Sequence, residues 1–137
     1  MNRAIALAWW LSLAISGTAL ASDASEAAAV QAGEAWLKLI DAGRYGDSWD
    51  ESSTMFRNAV SRSAWEKQGA AVREPLGKVL DRKLATKKLM HELPGVPDGT
   101  YLVLTFDTRF ERKEHGRETV TMMLEGDRFR GAGYFIR

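Results

Sequence analysis

The sequence predicts an α+β fold, with N-terminal helices packed on a curved antiparallel sheet of about four strands. Three observations predict it. Between Asp98 and Arg137 apolar and polar residues alternate over three runs. Two turn signals, Pro97-Asp98-Gly99 and Gly126-Asp127, bound those runs. Upstream, apolar residues recur at helical spacing instead.

The strands carry the clearest pattern. Pro presets φ, Asp bonds its own backbone and Gly takes the left-handed position, so Pro97-Asp98-Gly99 reads as a turn. From Tyr101 to Phe110, the residues Leu102, Leu104, Phe106, Thr108 and Phe110 share one face. Arg117–Glu125 and Arg128–Ile136 are separated only by Gly126-Asp127, which predicts a two-residue hairpin. Pairing Glu125 with Arg128 then sets Leu124 opposite Phe129, Met122 opposite Gly131, Val120 opposite Gly133 and Glu118 opposite Phe135. The loop around Lys113-Glu114-His115 needs an odd residue count to keep the apolar faces together. Three residues followed by a left-handed Gly116 satisfy it, setting Glu118 near Phe110 and Val120 near Thr108.

The 137 residues predict a single domain, 22–137, behind a signal peptide, 1–21. Met1-Asn2-Arg3 is basic, Ala4–Ile15 is apolar, and Ala19-Leu20-Ala21 has the form of a signal-peptidase site. The expected location is therefore the periplasm or the exterior, with no membrane anchor after cleavage. Without Arg3, 18 basic and 18 acidic residues remain, which argues against nucleic acid as a partner. The basic run Arg82, Lys83, Lys87 and Lys88 reads as solvated strand positions. With no Cys and only His91 and His115, neither thiol chemistry nor a metal site is expected, and no cofactor is implied.

Asp23 and Glu26 form a capping box for a first helix with the stripe Val30, Gly33, Trp36, Leu37 and Ile40, closed by Asp41-Ala42-Gly43. A second helix spans about Tyr45 to Met55, its Asp47, Asp50 and Glu51 reading as a solvated face. A third starts at Ser61 or Ser63 with the stripe Trp65, Gly69, Val72 and Leu76, flanked by Arg73 and broken by Pro75 and Gly77. Val79–Leu93 reads as a lysine-rich edge strand.

The chain resembles the domain of unknown function 4019 family of small exported bacterial proteins. The likeness rests on Trp36-Leu37 with Asp41-Ala42-Gly43, then Tyr45, Ser48-Trp49 and Trp65. It continues through Arg73-Glu74-Pro75-Leu76-Gly77 and Pro94-Gly95-Val96-Pro97-Asp98-Gly99-Thr100-Tyr101. It ends on Phe106-Asp107-Thr108, Glu118-Thr119-Val120 and Gly133-Tyr134-Phe135-Ile136. The resemblance implies a cystatin-like, nuclear transport factor 2-like cone, and carries over no catalytic residue.

Glu118 is the side chain that sits least comfortably. The register puts it on the apolar face, where an isolated ionised carboxylate is costly. The expected resolution is a buried ion pair with Arg73, since a guanidinium offers two prongs. Thr108, Tyr101 and Tyr134 complete the candidate pocket. Three functions follow. The leading one is a non-catalytic module binding a small ligand or an envelope protein. The second is an enzyme of the ketosteroid-isomerase sort, with Glu118 as base and Tyr101 or Tyr134 as oxyanion donor. The third is a structural domain that dimerises through Val103, Met123 and Ile136 on the outer sheet face. Trp36, Trp49 and Trp65 are assigned to the core.

Overall fold

The computed structural model describes residues 17–137, with side chains from Ser25 onward. Residues 1–16 of the expected signal peptide lie outside the described residues, and only the backbone of its cleavage site is described. Helices α1 (Gly17–Asp41), α2 (Tyr45–Asp50), α3 (Thr54–Ala59) and α4 (Arg62–Arg73) come first. They are followed by β1 (Val79–Met90), β2 (Tyr101–Phe110), β3 (Lys113–Glu125) and β4 (Arg128–Ile136), which form one antiparallel sheet in that spatial order. The α+β architecture is as the sequence predicts.

The helices differ from expectation where local capping overrides pattern. α1 runs unbroken through Asp23, so that residue is interior to the helix. Gly43, with φ 73°, ends it. The expected second helix is two helices, because the chain breaks at Ser52-Ser53 to reach the sheet. The Ser53 amide donates to the Gly131 carbonyl at 2.8 Å, and the Ser53 hydroxyl caps α3 by accepting from the Phe56 amide at 3.2 Å. α4 is capped by Ser61, whose hydroxyl accepts from the Ala64 amide at 3.1 Å, and Ser63 lies inside the helix. On α4 the inward positions are Trp65, Gly69 and Arg73, while Val72 is exposed.

The roof over the sheet is aromatic. Trp36 stacks on Trp65 at 6.0 Å with planes 10° apart, and Phe56 meets both edge-on. Ser48, wholly buried between them, satisfies both indoles: Trp36 donates to its carbonyl at 2.7 Å and Trp65 to its hydroxyl at 2.8 Å. Ala29, Leu37 and Ile40 of α1 close this roof onto Leu102, Leu104, Phe106, Val120 and Met122 of the sheet. Trp49 is partly buried, its indole donating to the Val60 carbonyl at 2.7 Å.

Two registers depart from expectation. The β2–β3 turn is the tight pair Glu111-Arg112, with Phe110 opposite Lys113. An extra residue in β3 before Gly116 then shifts the pairing by one. This bulge does the work expected of an odd-numbered loop and keeps the apolar faces together. Gly116 is an ordinary strand residue pressed against Phe110, and Glu118 pairs with Phe106 and Val120 with Leu104.

In β4, Leu124 faces Phe129 and Met122 faces Gly131 as expected. The chain then inserts Ala132 as a second bulge, so Val120 faces Tyr134 and Glu118 faces Ile136. The expected pairings with Gly133 and Phe135 are therefore wrong by one residue. Tyr134 and Ile136 turn to the helix side, and Phe135 turns outward, where it is 47% exposed. The apolar outer face expected of Val103, Met123 and Ile136 thus loses Ile136 and gains Phe135.

Candidate functional site

At one end of the sheet, four charged side chains from four elements meet over the core. Asp41 comes from the last turn of α1, Arg73 from the end of α4, Arg82 from β1 and Glu118 from β3. Glu118 is wholly buried, and Arg73 nearly so. Arg82 is the hub. Its Nε donates to Glu118 Oε1 at 2.7 Å and its Nη2 to Oε2 at 3.2 Å. The same guanidinium grips Asp41 with Nη1 on Oδ2 at 2.7 Å and Nη2 on Oδ1 at 2.9 Å. Arg73 donates through Nη2 to Asp41 Oδ1 at 2.8 Å and through Nη1 to the Tyr134 hydroxyl at 3.4 Å. Its charge lies 5.0 Å from the Phe110 ring centroid. Thr108 donates to Glu118 Oε1, and the Tyr134 hydroxyl donates to Oε2.

The expected Glu118–Arg73 pair is thus corrected: the partner is Arg82. Arg73 comes from the far side and is separated from the carboxylate by the Tyr134 hydroxyl it touches. Arg82 lies opposite Thr108 in the β1–β2 ladder, which brings its guanidinium across to Glu118 directly. The structure brings together Arg73, Thr108, Glu118 and Tyr134. It does not bring in Tyr101, whose hydroxyl donates to the Pro97 carbonyl at 2.6 Å at the other end of β2.

Sequence reasoning missed Arg82 and Asp41. For Arg82 a signal was present: it shares strand parity with Leu84, whose partner is the core residue Phe106. Asp41 was absorbed into the helix-ending motif. There, the next residues turn away through Gly43 and leave its carboxylate aimed at the sheet.

Two pairs of opposite charge cancel, so the burial cost of each ion is offset locally. Burial pushes the Asp41 carboxyl up, but hydrogen bonds and charge from Arg82, then Arg73, outweigh it and hold the group below its ordinary value. Burial opposes the charge of Arg82, yet its contacts with Asp41 and Glu118 raise its proton affinity. The Tyr134 phenol is pushed well up, first by burial and then by the Glu118 charge beside it. Among the described residues, no group of three His, Asp or Glu side chains is arranged to hold a metal ion.

An amphipathic opening lies elsewhere. A cleft of about 500 Å³ sits between α1, α2 and the start of β4. Trp36, Leu39, Met122 and Phe129 line it with apolar surface, and Arg44, Asp47, Arg128 and Arg130 are among its charged lining. Gly131 makes this shape possible: a Cβ there would overlap the Trp36 indole, so the strand backbone lies directly against the ring.

Helices roofing one face of an open antiparallel sheet, with charge buried at one end and a cleft at the other, define a small α+β domain. The chain belongs to the family described as protein of unknown function (DUF4019), whose family model matches residues 32–134. No curated protein matches it.

Proposed function

We propose that the chain is exported and acts as a non-catalytic binding module, taking a small amphipathic ligand in the cleft between α1, α2 and β4. The observation that carries this reading is the cleft's lining, with apolar Trp36, Leu39, Met122 and Phe129 beside charged groups of both signs. Export rests on the basic start, apolar run and small-residue site of residues 1–21. The cystatin-like, nuclear transport factor 2-like cone belongs to the same proposal, since a half-open cone leaves such a cleft at its rim.

The enzyme reading draws no support from Glu118. Its oxygens accept from Arg82, Thr108 and Tyr134, so no lone pair is directed at a substrate. The charge cluster serves instead to lock the end of α1 and the end of α4 onto the sheet.

The binding reading is tested by calorimetry with dodecanoate and dodecylamine, alongside native mass spectrometry of the purified protein. Saturable binding that is lost in Ala35→Glu, an exposed position of the cleft lining, with an unchanged melting temperature, supports it. Absence of binding to both probes and of any retained small molecule overturns it. Fractionation and N-terminal sequencing test export, the expected first residue being Ser22.

A further inference from the structure

The two edges of the sheet are built differently. β1, at one edge, carries Lys83, Lys87 and Lys88, the kind of charged edge that discourages pairing with another chain. β4, at the other edge, has no charged residue between Gly131 and Ile136. Arg117 and Arg137 exchange both backbone hydrogen bonds, each at 3.0 Å. Alternation along the ladder then directs Phe135 and Gly133 toward β3, and turns the amides and carbonyls of Tyr134 and Ile136 away from it. The Ser53 amide covers only the Gly131 carbonyl. The end of β4 is therefore an open template.

Beside that open stretch lies a recess of about 170 Å³ between α4 and β4, lined by Ile40, Trp65, Gly69, Val72, Tyr134 and Ile136. Its size is on the scale of one apolar side chain. Val72 and Phe135, both 47% exposed, flank it. The open stretch is bracketed by Arg128 and Arg130 on one side and Arg137 on the other. Among the described residues Arg128 and Arg137 form no ion pair, and Arg130 has only long contacts to Glu51 and Glu125, at 3.9 and 4.0 Å.

We propose that β4 accepts an extended segment of another protein as an added antiparallel strand, an apolar run flanked by acidic residues, with one side chain seated in the recess between α4 and β4. Main-chain hydrogen bonds from Tyr134 and Ile136 supply affinity, and the recess and the arginines supply selectivity. A second copy of this chain fits the same edge poorly. Antiparallel self-pairing of residues 131–136 sets Arg130 of each copy against Arg137 of the other, and like charges facing across a ladder repel. The recess shares no residue with the amphipathic cleft at the other end of β4. Arg128 and Arg130 border both the cleft and the open stretch, so Val72 and Phe135 are the positions that test this proposal alone.

The test uses two labelled peptides of alternating valine and threonine, one flanked at both ends by glutamates and one by lysines. Anisotropy measures binding to the purified mature protein, and amide exchange locates it. The expected result is binding of the glutamate-flanked peptide at least about tenfold tighter than the lysine-flanked one. Slowed exchange at the Tyr134 and Ile136 amides should accompany it. The exposed variants Val72→Asp and Phe135→Lys should each weaken binding by about tenfold or more while keeping the wild-type melting temperature. No binding of the glutamate-flanked peptide, or equal binding of the two, overturns the proposal. So does a dimer in sedimentation that Phe135→Lys dissociates, since that makes a second copy the occupant.

Discussion

Arg82 holds Glu118 by two of its nitrogens, at 2.7 and 3.2 Å, and holds Asp41 with the same guanidinium. One side chain on the edge strand therefore ties the core of the sheet to the end of the first helix. Arg82→Met leaves Glu118 buried with its main cationic partner gone, and should cost about 3–5 kcal/mol in urea unfolding. Glu118→Gln should destabilise less than Glu118→Ala, because the amide oxygen still accepts from Arg82 or Thr108. The pair Arg82→Met with Glu118→Leu should be less damaging than the sum of its single changes. Additive losses would mean that the two groups do not act as a unit.

Asp41 gives the cluster a pH dependence whose sign is fixed. Its folded carboxyl is held below the ordinary value of 3.8 by Arg82 and Arg73. A depressed pKa contributes stability above the unfolded value, and that contribution is lost as pH falls through the folded value. Stability should therefore fall below about pH 4, and Asp41→Asn should be less stable at neutral pH with a shallower acid slope. Parallel acid profiles for the two proteins would contradict this.

Tyr134 acts at the other end of the scale. Burial and Glu118 raise its phenol above the ordinary value of 10.0, so its contribution is complete below that value and declines as pH rises beyond it. Tyr134→Phe removes a hydrogen bond to a charged acceptor and should cost about 1.5–3 kcal/mol at neutral pH. Its disadvantage relative to the wild type should shrink in alkaline melts, a trend that circular dichroism can follow.

The two glycines beside the Ala132 bulge separate packing from backbone effects. Gly131 lies against Trp36 with no room for a Cβ, so Gly131→Ala should cost about 1–3 kcal/mol. At Gly133 the nearest atom to a Cβ is Thr121 Cβ at 3.7 Å, an ordinary contact, and φ is not positive. Gly133→Ala should be neutral or slightly stabilising. Equal losses at the two sites in thermal melts would refute the close Trp36 approach.

Legibility in the sequence followed the physics of side-chain contrast. The bounds of β2 and β4, and the pairing of β4 as far as Gly131, were readable because polarity alternates there and Gly126 and Asp127 admit one tight turn. The Ala132 bulge was not readable, because Gly-Ala-Gly carries no polarity to show which residue faces inward. Arg82 was hidden by its setting among lysines on a charged strand, although its parity with Leu84 marked it. The division of α2 from α3 depends on Ser53 reaching Gly131, a contact some 80 positions away in the chain that no local pattern announces.

Ala132 decides what the interior and the exterior each receive from the last residues of the chain. Straighten the strand by absorbing that one unmatched position, and Tyr134 and Phe135 trade sides. The phenol would then hang in water, and a benzyl ring with nothing to donate would sit over Glu118. A lone unpaired alanine thus acts as a rotary setting, and both the sealed acid and the exposed phenyl ring depend on where it is turned.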